Sequence, residues 1–233
     1  GDAGGSIRIP SSYNGIFGIK PTQGRVPNPT STHNFLSQNG PMTRYVEDAA
    51  LMLEIITGFS SEDPSSLNIP PIKFEDNFWN YSLTDYLQKY YLSKDQLRIA
   101  WVDNFGHAKP DSEVKAKCLN TLSILENEGY AITHINIDFG EIFNAWHNLF
   151  SVSAYTSHEE EYKDSKNKFA WYTQEAFENA KNISATEYAQ SILTLKKVQL
   201  KFGNQLKHMK IKNGQKNIII QTQKINLLVV ELL

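Results

Sequence analysis

The sequence is short of several things, and each absence removes a class of protein. It has one cysteine, Cys118, so no internal disulfide can form, and a reducing, cytoplasmic setting is the expectation. No apolar run reaches the ~18 residues of a membrane span. The first residues also lack the charged start and apolar core of a secretory signal. Neither sign of charge is in excess: 23 Lys and Arg against 25 Asp and Glu leave a formal charge of −2, so nucleic acid is not expected as a partner. His33, His107, His134, His147, His158 and His208 are scattered, with no H-x-x-x-H or HExxH spacing, so no metal is expected. A G-x-x-x-x-G-K-[ST] phosphate loop and a G-x-G-x-x-G dinucleotide fingerprint are both missing, and no cofactor is implied.

What is present is an ordinary globular composition, with 40% hydrophobic and 12% aromatic residues in 233, enough for a real core. Residues 1–42 are rich in Gly, Pro, Ser, Thr and Asn and read as loops around a short strand at "GIFGIKPT". Thr43 is placed to cap a helix whose apolar stripe is Val46, Ala49, Ala50, Leu53 and Ile56, closed by Gly58. Residues 59–80, with Pro64, Pro70 and Pro71, read as an extended surface connection. Then "LRIAWV", a helix from about Asp111 to Glu128 and "YAITHINI" form a parallel βαβ candidate. Cys118 shares its helix face with Val114, Leu122 and Leu125, which reads as a buried structural thiol. A further helix begins near Glu141, carries Trp146, Leu149, Phe150 and Val152, and turns acidic at Glu159, Glu160 and Glu161. Asn182-Ile183-Ser184 is a glycosylation sequon only in a secreted protein. A lysine-rich run follows Leu195, and the last residues are apolar.

The densest chemistry lies in "GDAGGSIRIP". Gly4 and Gly5 leave the backbone uncluttered before Ser6, so successive N–H groups can turn toward one point and hold an oxyanion. If Ser6 Oγ attacked a carbonyl, the amides of Ala3, Gly4, Gly5 and Ser6 would be placed to hold the developing negative oxygen. A serine hydroxyl is weak at its free pKa and needs a base, which this motif does not contain. Asp2 and Arg8 read as a charge pair bracing the loop.

The longer run "GDAGGSIRIPSSYNGIFGIKPTQGRVP" resembles the nucleophile segment of the amidase signature family, almost continuously from Gly1 to Pro27. The likeness continues through "SQNGPMTRYVEDAALMLEIITG" and "LRIAWVDNFGHAKPDSEV", and covers about the first 160 residues. It implies that Ser6 is the nucleophile of a Ser-cisSer-Lys triad and forms an acyl-enzyme. The second serine and the lysine lie well upstream in that family, so the resemblance implies the C-terminal part of a longer amidase. Lys20 matches a family lysine read as structural. The implied fold is α/β, a part of the family's mixed sheet surrounded by helices, with its N-terminal portion missing. Residues 1–195 form a partial amidase domain, and 196–233 a tail without a match. The tRNA amidotransferase branch of the family usually has Gln where Ile9 stands, so general acyl-amide or aryl-amide hydrolases are the better likeness. The expected partner is a small amide. Two other readings stay open: an inactive remnant or interaction module, and a nucleic-acid binder acting through the lysine-rich tail.

Overall fold

A computed structural model of the chain describes residues 1–29, 36–68, 97–102, 110–140, 142–211, 217–222 and 227–230. Within the stretch read as loop lies a helix, α1 (Arg8–Asn14). Pro10 falls in its first turn, where a missing N–H breaks no helical bond. Gly15 ends it at φ 62°, with the Gly15 and Ile16 N–H groups donating back to the Ser12 and Ser11 carbonyls. Seven residues are too few for a 3.6-residue apolar period to register, so the pattern of polar and turn residues hid this helix.

Strands β1 (Phe17–Gly18) and β2 (Met42–Thr43) pair antiparallel, Phe17 opposite Thr43. This pairing moves the start of the next helix. Helix α2 (Val46–Ile56) has Tyr45, not Thr43, at its N-cap, because Thr43 is held in β2 and its hydroxyl donates to the Tyr45 carbonyl at 2.7 Å. Ala49 and Leu53 form its buried stripe, whereas Val46 lies exposed.

The βαβ unit is present. Strand β3 (Leu97–Val102) leads through helix α3 (Ser112–Asn127) to β4 (Ala131–His134), which lies parallel to it with Trp101 opposite His134. Asp111 caps α3 by accepting the Glu113 N–H at 2.8 Å, and Gly129 closes it at φ 91°. Cys118 is half-buried rather than fully buried, because only Leu122 on that face is fully buried and Val114 is exposed. Even so, burial pushes its thiol pKa up, away from a reactive thiolate.

Helix α4 (Ile142–Ser165) kinks at His158, a 3-10 turn at Lys166–Lys168 follows, and α5 (Trp171–Asn182) and α6 (Ala185–Ile211) pack against α4. Ser184 opens α6 in a reciprocal cap with Glu187. That helix runs without interruption across the boundary expected at residue 195. Beyond it, β5 (Asn217–Thr222) pairs parallel to the other edge of β3, and β6 (Leu227–Val230) pairs antiparallel to β5. The sheet order is β4-β3-β5-β6. As an interior strand, β3 buries Ile99, Ala100, Trp101 and Val102 in succession, which requires cover on both faces. Ala100 and Val102 meet Ile137, with Phe139 and Phe202 packed edge to face beside them. The start of α4 at Glu141 and residues 69–80 of the expected surface connection lie outside the described residues.

Candidate active site

The loop before α1 is folded around its own second residue. Asp2 is tied at the backbone to Gln38, donating its N–H to the Gln38 carbonyl at 2.9 Å and accepting the Gln38 N–H at 3.1 Å. The Gln38 side chain is buried too; its Oε1 accepts the Gly24 N–H at 2.8 Å and its Nε2 donates to the Val26 carbonyl at 2.9 Å. A single glutamine thus joins three segments, which sequence reasoning missed because its partners are backbone groups far along the chain.

The Asp2 carboxylate is completely buried. Oδ1 accepts the Gly5 N–H at 2.6 Å and Arg8 Nη2 at 3.0 Å. Oδ2 accepts the Ile7 N–H at 3.2 Å and Arg8 Nε at 2.9 Å, and the Arg8 N–H points to it at 3.4 Å. Burial opposes this charge more strongly than any single partner favours it. Together, however, the Arg8 guanidinium and the Gly5 and Ile7 amides prevail, and the pKa falls from 3.8 to about 2. Lys20 is half-buried within electrostatic reach of the pair; burial lowers its pKa, with Asp2 pulling up and Arg8 pushing down.

This wrapping leaves Ser6 at the surface. Among the described residues its hydroxyl has no hydrogen-bond partner, and the N–H groups of Ala3, Gly4 and Ser6 have no acceptor. The Gly5 N–H is held by Asp2, and Gly5 itself sits at φ 125°, a conformation that glycine tolerates. On the other side of the loop, Trp146 of α4 donates its indole N–H to the Ala3 carbonyl at 2.9 Å. A Cβ on Gly4 would overlap its ring atom Cζ2. Trp146 reads in the sequence only as one apolar helical position, and no local signal reveals this contact. A cavity of about 680 Å³ borders the loop at Ala3 and Gly4, lined also by Ile9, Phe143, Trp146 and Leu195.

The described residues thus combine a helix-rich α/β fold, which includes a parallel βαβ unit, with a serine that follows two glycines in a loop braced by an Asp–Arg pair. The family model described as Amidase matches residues 1–229, and the chain belongs to that family. The match runs through 196–229, the stretch that sequence reading left unassigned. An acylamidase of Rhodococcus erythropolis is 36% identical over 141 residues, 60% of this chain and 27% of that protein. A glutamyl-tRNA(Gln) amidotransferase subunit of Brachyspira hyodysenteriae is 52% identical over 71 residues, 30% of this chain and 15% of its own length. Among solved structures, a bacterial aryl acylamidase of the amidase signature family superposes with a TM-score of 0.71 at 18% identity, over 94% of this chain and 44% of that one. The 6-aminohexanoate cyclic dimer hydrolase gives 0.70 at 18%, over 94% and 45%. The chain therefore spans less than half the length of these relatives. Among the described residues no helix is long and apolar enough to cross a membrane.

Proposed function

We propose that this chain supplies the nucleophile for hydrolysis of a carboxamide, through an acyl-enzyme on Ser6. The Ser6 hydroxyl oxygen adds to the amide carbonyl carbon as its proton passes to a base. The carbonyl electrons move onto oxygen, and the free amides of Ala3, Gly4 and Ser6 hold that oxyanion, while the Gly5 amide braces the loop through Asp2. Collapse breaks the C–N bond as the proton is delivered to the leaving nitrogen. Water then cleaves the ester by the same path in reverse roles, releasing the carboxylic acid. One observation carries this reading: Asp2 consumes the loop's inward donors and leaves Ser6 exposed among uncommitted ones. The base is a lysine relayed through a second serine, as the family likeness implies, contributed by chain outside the described residues.

The substrate class that fits is an acyl or aryl amide, because an apolar Ile9 stands in the cavity wall where the amidotransferase branch usually carries glutamine. No comparison favours an inactive remnant or a nucleic-acid binder. The test is covalent labelling. With the relay present, a fluorophosphonate should modify Ser6, and Ser6→Ala should abolish both labelling and turnover while the protein stays folded. Labelling only at another serine refutes the assignment.

A further inference from the structure

We propose that Trp146 is a positioning residue for the Ala3–Gly4 peptide and that its ring floors a cavity taking a planar apolar group of the amide. The inference deepens the amide-hydrolysis reading and rests on it for its catalytic meaning. A trans peptide is planar, so the Ala3 carbonyl and the Gly4 N–H point in opposite directions. Indole N–H is a donor only, and it is spent on the Ala3 oxygen at 2.9 Å. Holding that carbonyl on the Trp146 side turns the Gly4 N–H to the other side, where it has no acceptor among the described residues.

The indole is itself held firmly. Phe150 stacks on it with centroids 5.3 Å apart and planes 21° apart, and Phe143 leans on it at 5.6 Å. Ala145 and Leu149, its neighbours on α4, are buried and anchor the helix that carries it. Its ring lies so close to residue 4 that only glycine fits, which gives Gly4 a packing reason beyond backbone freedom. Ile9, Phe143 and Leu195 complete the apolar wall of the cavity of about 680 Å³, a size suited to one small-molecule group. The same ring therefore touches both the carbonyl side of the peptide whose N–H would face the oxyanion and the wall of the cavity that borders Ala3 and Gly4.

The first measurements use residues 1–233 and need no turnover, so they can fail independently of the Ser6 assignment. Nuclear magnetic resonance would follow the exchange of the Trp146 indole proton and the binding of benzamide against acetamide. The indole proton of Trp146 should exchange at least about tenfold more slowly than that of Trp171, whose side chain stands in the open at 75% exposure. Benzamide should bind about tenfold more tightly than acetamide, and the difference should vanish in Trp146→Leu. Trp146→Phe keeps a ring without the donor; it should retain the benzamide preference while shifting the Gly4 amide resonance. In the enzyme with its relay, Trp146→Phe should lower kcat about tenfold or more with KM nearly unchanged, and Trp146→Leu should raise KM as well. Indole exchange as fast as in Trp171, an unchanged benzamide preference in Trp146→Leu, or an unchanged kcat in Trp146→Phe would each overturn the proposal.

Discussion

Asp2 and Glu178 are both carboxyls held well below their ordinary range, but in different surroundings and by partners of different kinds. Each carboxyl is held at about 2, yet the Asp2 side chain is wholly buried and that of Glu178 is 44% exposed. Glu178 is lowered first by Lys166, then by the Tyr162 hydroxyl and by Lys181, at 2.7, 2.8 and 3.1 Å, beside the aromatic cluster of Tyr155, Phe169 and Phe177. Two of those partners are exposed lysine ammonium groups that water can replace, and the third is the hydroxyl of a tyrosine ring buried in the cluster itself. The partners of Asp2 are Arg8 and the backbone amides of the loop itself. One carboxylate defines a backbone shape, whereas the other decorates a helix pair already held by ring packing. A shared pKa thus says how strongly a charge is favoured, and the identity of its partners says what would collapse without it.

The comparison breaks most sharply at Asp2→Ala. It strands the Arg8 charge and the Gly5 and Ile7 amides in a buried site, and a loss of about 3–5 kcal/mol is expected in urea unfolding. The loss should depend only weakly on salt, because the Asp2 carboxylate is wholly buried and the Arg8 side chain is only 19% exposed. A cost below ~1 kcal/mol would mean that Asp2 does not organise the loop.

Gly5→Ala comes next. At φ 125° an alanine is strained, and a loss of about 1–3 kcal/mol is expected by the same assay. The contact of its new methyl with Ile9 adds little, since that side chain can turn aside. Unchanged stability would show that the loop relaxes to a different backbone.

Acid supplies a third test. Because the folded pKa of Asp2 lies below the ordinary 3.8, its contribution is complete above about pH 4 and is lost as pH falls through 2. The shift corresponds to about 2 kcal/mol. It should appear as the difference between the unfolding curves of the parent and Asp2→Asn across that window. Parallel curves would contradict a depressed Asp2.

The smallest effect is expected at Glu178→Gln. An exposed charge of this kind contributes little to unfolding stability, and the difference should shrink further in 1 M salt. A larger, salt-independent loss would place Glu178 in the same structural category as Asp2.

Local chemistry was legible where its signals lie within a few residues of one another. The short apolar run "LRIAWV", the stripe of α3 and the closing Gly129 specify a βαβ unit, because local hydrophobic pattern and capping act within one element. The crowding of Asp2, Gly4, Gly5, Ser6 and Arg8 into one turn likewise announces a braced loop with an exposed hydroxyl. Helix α1 escaped because it is shorter than two periods, and the start of α2 was misplaced because Thr43 could either cap a helix or pair in a strand.

By itself, then, the sequence determined which segments are helix or strand along most of the βαβ unit and which residues could do chemistry. Tertiary structure alone decided where the donors and acceptors went. It sent the Gly5 amide to Asp2 and left those of Ala3, Gly4 and Ser6 free. It tied Gln38 to Asp2 and to the stretch at Gly24 and Val26, put β5 beside β3, and carried the Trp146 indole to a carbonyl 143 residues away. The physical reason is that a polar atom binds whichever partner packing brings within about 3 Å. Which partner that is depends on the burial of whole elements, which no short stretch of sequence encodes.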